Sequence, residues 1–393
     1  MNTTHYRRIS VVALAAASAI ALSSCATTTA TETVAESPAA SSSRVAVTYD
    51  GGILVLDGTS LEVEGDLPLD GYNRVNPGGD GSSVYVSTEG GFRVLDTAAA
   101  ELTDLVFPAL TPGHAVLHGD QTILFDDGTG DITVFESAAL LDAGDELPEV
   151  ETVESEAAHH GVAIELEDGR LLSTLGDAEG RTGVRVLDAA REETDRAEDC
   201  PGVHGEGTTK NEVAVFGCND GVLVYDGEFT KVASPDAYGR IGNQFTTETS
   251  TVALGDYNSD PDAEGYLLSA VSLIDTVAKT IQVVDLPVGV EYTFRDLARG
   301  PGDEGVILGT DGSLHVIDVE TGEITTSYPV IGAWEGPAEW QDSHPALKVL
   351  GDVAYVTEPA TDSVFAVDLG SGDVLASAEL PATPNELAVV ASE

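Results

Sequence analysis

Leu308-Gly309-Thr310-Asp311-Gly312-Ser313-Leu314-His315-Val316-Ile317-Asp318 is the stretch that decides the fold. An apolar run meets an Asp-Gly pair, which is hairpin-turn chemistry, and resumes as a second strand closing on Val-x-Asp. The same closing strand recurs at residues 92–96, 184–188, 222–226, 271–275 and 364–368, and residues 53–57 and 132–135 complete a set of eight. The units follow one another at roughly 40 to 50 residues, the period of four-stranded propeller blades. A blade buries its faces only against its neighbours, so the ring has to close. The residues from Arg44 to Leu67 read as three strands lacking an inner one, and those from Leu387 to Val390 as an inner strand lacking partners. The expectation is all-β: one eight-bladed β-propeller over residues 44–393, sealed by both chain ends, with seven blades as the alternative.

Ahead of that domain, Arg7 and Arg8 lead into an apolar run from Ile9 to Leu22 that ends in Leu22-Ser23-Ser24-Cys25. The run is too short to span a bilayer and reads as a secretory signal over residues 1–25. Its last four residues resemble a bacterial lipobox, which makes Cys25 the lipidation site. Polar Ser10 after the arginine pair favours general secretion over twin-arginine export. Residues 26–43, almost all Ala, Thr, Ser and Glu, read as a flexible tether. The expected location is the outer face of the cell membrane, lipid-anchored, or the periplasm.

The chain carries 17 basic and 68 acidic residues, and loss of Arg7 and Arg8 with the signal leaves a net charge of −53. Such a surface repels nucleic acid and anionic headgroups, so no nucleic acid is expected and the only membrane contact is the N-terminal lipid. The expected state is a monomer. Cys200 and Cys218 remain as a pair, which in an exported protein reads as a disulfide. A hairpin turn at Thr208-Thr209-Lys210-Asn211 would set them opposite one another on adjacent strands.

In a propeller the first strand of each blade lines the central channel. The residues just ahead of these strands are Asn73-Arg74, Gly113-His114, His159-His160, Val203-His204, Gly239-Arg240, Phe294-Arg295, Ser343-His344 and Asn385-Glu386. Five histidines, His114, His118, His159, His160 and His204, fall at or just after three consecutive starts. Imidazole nitrogens in such a group suit zinc, with a position left open when only three protein ligands bind. His114, His160 and His204 are the favoured ligands, with His159 or His118 as alternates. Asp127, Asp120 or Glu206 would add an oxygen or orient a ring, and water is the other candidate for the fourth position. Binding requires neutral rings, so it should weaken as pH falls through about 6.5. His315 lies within a Val-x-Asp strand and reads as structural; His344, before Pro345, is not counted among the ligands. Calcium prefers oxygen donors, and these strand starts are rich in His and Arg. Two tryptophans do not supply a docking motif in every blade, which argues against a quinoprotein. Gly-x-Ser-x-Gly, His-Glu-x-x-His and phosphate-loop patterns are absent. Arg74, Arg240 and Arg295 could bind an anion in the channel or offset the acidic surface.

Several segments together resemble one family. Gly71-Tyr72-Asn73-Arg74-Val75-Asn76-Pro77, Gly113-His114-Ala115-Val116-Leu117-His118-Gly119-Asp120, Phe125-Asp126-Asp127-Gly128-Thr129-Gly130, His159-His160-Gly161-Val162-Ala163, Cys200-Pro201-Gly202-Val203-His204-Gly205-Glu206, Phe216-Gly217-Cys218 and Arg240-Ile241-Gly242-Asn243-Gln244 are similar to the AztD family of zinc metallochaperones. The resemblance implies a non-enzymatic, exported β-propeller that binds Zn2+ through histidines. It implies zinc transport as the context, with the metal passed to the substrate-binding protein of a zinc ABC transporter. Two features depart from the family: residues 26–43 hold no histidine where members can carry a mobile His-rich segment, and the chain reads as a lipoprotein. The alternatives are a metal-free interaction propeller and a hydrolase with a channel-mouth metal.

Overall fold

The computed structural model describes residues 42–263, 266–337 and 339–391. The signal segment, the proposed lipidation site Cys25 and residues 26–41 of the tether lie outside the described residues. Ala40–Glu393 form one compact unit. The described strands make eight four-stranded antiparallel sheets. Their innermost strands are arranged around a central channel, and Leu387–Ala391, the inner strand of the closing blade, contacts the inner strands on both sides, Leu347–Leu350 and Val75–Pro77. This is the eight-bladed propeller expected from the repeat.

The eight closing strands recognised in the sequence are all the third strand of a blade, as in Gly91–Asp96, Gly221–Tyr225 and Ser313–Ile317. Both faces of such a strand are covered by neighbouring blades, so it reads as a nearly continuous apolar run. Gly52–Asp57 is buried at every position. Outermost strands have only partial cover and alternate, as Val374–Glu379 does. The recurring aspartate has a local cause. Asp57 Oδ1 accepts from the N–H groups of Thr59 and Ser60, and Asp318 Oδ1 from those of Glu320 and Thr321. These Asx turns reverse the chain into the outer strand.

Ring closure joins the chain ends. Leu387–Ala391 pairs antiparallel with Ser43–Tyr49, with Ser43 opposite Ala391 and Val47 opposite Leu387. Between blades the core is aliphatic, for example Val215, Val222 and Val224 against Ala253 and Ile274. Each such Val or Ile contributes roughly 1.5–3 kcal/mol by leaving water.

Cys200 and Cys218 form the disulfide, with Cα atoms 5.0 Å apart. Its setting differs from the sequence expectation in two respects. Thr208 and Thr209 are still paired in the strand His204–Thr209, and the turn is at Lys210, Asn211 and Glu212. Asn211 and Glu212 take positive φ there. Cys200 lies in the segment leading to that strand, not on it, so the bridge clamps a lead-in to the end of Val213–Cys218.

Candidate metal centre

His114, His160 and His204 come from three successive blades, each at or just ahead of a strand start, and two of them are placed by a register irregularity. His114 lies in Pro112–His118 where the register slips between Pro112 and Ala115. His204 opens His204–Thr209 with a slip before Glu206. His160 precedes Ala163–Glu165. Bulges of this kind re-aim a side chain out of the pleat. Two glycines make room. A Cβ on Gly113 would collide with the carboxylate of Asp127, and Gly205, at φ +64°, would push one to 2.5 Å from the Gly242 carbonyl.

The three ring centroids are each 5.1 Å from the other two. One ring nitrogen from each lies within 4.8 Å of the others. Second partners fix two tautomers. His204 Nδ1 lies 2.6 Å from the carbonyl oxygen of Gly242, which can only accept, so Nδ1 carries the hydrogen. His160 Nδ1 likewise donates to Asp127 Oδ2 at 2.5 Å. In the neutral rings both Nε2 lone pairs then face each other at 3.1 Å. Two acceptors in opposition make a place for a shared cation, a proton or a metal ion, between them. Ligands on zinc at a Zn–N length of about 2.0–2.1 Å stand roughly 3.3 Å apart in a tetrahedron, so the spacing suits that ion. The donor set, three imidazoles and one open direction, fits zinc.

Burial and the neighbouring imidazoles His204 and His160 hold His114 well below its ordinary value. Burial takes His204 down to about 3, helped by His160 and Arg240. Proton competition at these rings therefore begins below the pH of about 6.5 expected for free imidazole.

The remaining sequence candidates lie elsewhere. His159 is buried with Nδ1 donating to Ala157 O at 2.8 Å, Nε2 accepting from Thr174 Oγ1 at 3.0 Å, and Phe125 against its ring. Both of its ring nitrogens are thereby engaged away from the trio, which His160 alone of the two joins. His118 follows His114 by four residues, about 13 Å along the strand at 3.3 Å per residue. There its nitrogens meet Thr208 Oγ1 at 3.1 Å and Glu212 Oε1 at 2.8 Å. Asp127 bonds the far nitrogen of His160, so it orients a ring and stands behind the donor atoms. Glu206 lines the channel beside His114 and burial lifts its carboxyl to about 7, but it is outside the cluster of donor atoms. Asp120 is exposed in a turn. His315 is held by Ser327 Oγ and Asp311 Oδ1 within its sheet.

Sequence reasoning missed the carbonyl that aligns His204. The Gly242 N–H and both nitrogens of Asn243 bond Asp256, whose carboxylate fixes the loop. A backbone carbonyl has no sequence signature, although Arg240-Ile241-Gly242-Asn243-Gln244 is one of the segments that carries the resemblance.

No family model matches the chain. The zinc chaperone AztD of Citrobacter koseri is 26% identical over 295 residues, which cover 74% of this chain and 68% of that protein. Two solved structures of Citrobacter koseri AztD, one of them apo, align with a TM-score of 0.75 at 19% identity, over 89% of this chain and 98% of theirs. This chain is similar to AztD. The resemblance read from its segments is thereby borne out, and the AztD structures share its propeller fold. Dihydro-heme d1 dehydrogenase NirN in complex with DHE also aligns, with a TM-score of 0.61 at 12% identity over 88% of this chain and 74% of that one. Unlike the AztD match, that likeness is one of fold alone.

Proposed function

We propose that this chain is an extracytoplasmic zinc metallochaperone that carries Zn2+ on His114, His160 and His204 at the channel mouth. The observation behind it is the pair of opposed Nε2 lone pairs, with His114 as the third donor. The similar protein is named a zinc chaperone, a carrier and not an enzyme. The disulfide and that likeness support a location outside the cytoplasm. Cys25 would hold the protein to the membrane by its lipid.

Asp127 and the Gly242 carbonyl pre-set two rings, so little reorganisation accompanies capture. Three protein ligands leave zinc one position for a donor from a recipient. Ligand exchange through that position allows transfer before full release. The recipient in this reading is the substrate-binding protein of a zinc ABC transporter.

Metal analysis of protein purified without added metal, followed by chelator competition, tests the assignment. The wild type should hold one zinc. The variant His114→Ala/His160→Ala/His204→Ala should hold none while keeping its fold; unchanged affinity in that variant would dispose of the reading. Transfer is tested by mixing the zinc-loaded protein with the apo recipient and following the metal.

A further inference from the structure

Lysine and arginine are scarce here, 17 in 393 residues, yet Arg74, Arg240, Arg295 and Lys348 line two adjoining cavities of the channel. Arg74, Arg295 and Lys348 line a central cavity of about 270 Å³, and Arg74 also lines the neighbouring cavity that holds the imidazole trio. His114 belongs to both. One paired carboxylate answers these cations: Glu386 Oε1 lies 3.3 Å from Arg74 Nε and 3.4 Å from Arg295, and Tyr72 donates to the same oxygen. Burial works to raise the Glu386 carboxyl, but Arg74, Arg295 and Tyr72 hold it below the ordinary carboxylate range. Glu206 also lines this cavity and burial lifts its carboxyl to about 7, so three cations face Glu386 and a partly ionised Glu206, and positive charge remains in a molecule whose net charge is −51. Burial correspondingly depresses the amine of Lys348.

We propose that this cavity is a binding site for a small oxyanion, held by Arg74 and Lys348 directly beside the trio, with Arg295, whose terminal nitrogens already bond Asn385, Tyr72 and the Trp340 carbonyl, adding positive charge from behind. Guanidinium forks and an ammonium are the donors that take carboxylate or phosphate oxygens, and their strength rises where water is excluded. The anion site rests on the channel residues alone, whereas its coupling to the metal rests on the zinc-carrier reading. Zinc on three neutral imidazoles keeps its double charge, so an oxyanion next to it is attracted. By linkage each ligand then tightens the other by the same factor.

The test is calorimetric titration of the full-length protein, metal-free and zinc-loaded, with succinate, with inorganic phosphate and with chloride at constant ionic strength. Saturable binding of succinate or phosphate at one equivalent is expected, and the tighter of the two assigns carboxylate or phosphate. Lys348→Met should weaken it at least tenfold, and zinc should tighten it several-fold. Arg74→Gln is the second variant, with thermal unfolding of each confirming the fold. Absence of saturable oxyanion binding, equal binding of chloride, or unchanged affinity in both folded variants would overturn the site. If the wild type holds no zinc, the carrier reading fails, and the metal-free titration still decides the anion site.

Discussion

His204 and His344 are oriented by the same device at two places on the ring. Each donates Nδ1–H to a backbone carbonyl, His204 to Gly242 at 2.6 Å and His344 to Asp342 at 2.7 Å. Their Nε2 atoms meet different company. That of His204 faces a second imidazole at 3.1 Å, with a third ring 5.1 Å away. That of His344 is buried without a protein hydrogen-bond partner, its ring set against Phe294 and close to the cation Arg295. Orientation alone would therefore not suffice for a metal ligand in the proposed reading. Convergence would, and convergence comes from neighbouring blades.

The largest effect should come from removing one ring at each place. His204→Ala is expected to abolish stoichiometric zinc binding, and His344→Ala to leave it intact, as read by chelator competition on both. Equal loss would break the comparison. Next is the group behind a ring. Asp127→Ala removes the acceptor at His160 Nδ1 and should weaken zinc 10- to 100-fold with the stoichiometry unchanged.

Third is the disulfide, which restrains the lead-in to His204. It closes a loop with a sequence separation of 18, worth roughly 3 kcal/mol in the chain-entropy account. Cys200→Ser/Cys218→Ser should lose about that much stability in denaturant titration, with a smaller loss of zinc affinity than Asp127→Ala causes. The smallest effect concerns pH. Burial, then Arg295, takes His344 from 6.5 to about 4. Between those values the unfolded chain binds a proton that the folded ring refuses, so stability is full above pH 6.5 and declines as pH falls toward 4. His344→Met should flatten that part of the plot of melting temperature against pH; an unaltered slope would mean the folded ring accepts the proton.

The propeller was legible because its signals are local. The Val-x-Asp strand records burial on both faces, and its aspartate records an Asx turn. Closure was readable from incomplete strand sets at residues 44–67 and 387–390. Placement of the histidines was legible only in part. His118 and His114 look equivalent on one strand, yet four residues of rise carry His118 to Thr208 and Glu212. The hairpin turn was read too early because Thr208 and Thr209 are tolerated in turns and in strands alike.

From the sequence alone came the repeat, the number of blades, the cysteine pair and a short set of histidines near the channel. Those follow from periodicity and composition, which neighbouring residues are enough to express. The fold decided that His160 and not His159 faces His204, that Asp127 stands behind a ring, and that the carbonyl of Gly242 turns a lone pair inward. These depend on bulges and on contacts 33 to 44 residues apart in the chain. Such distances are fixed only when the ring is closed and packed.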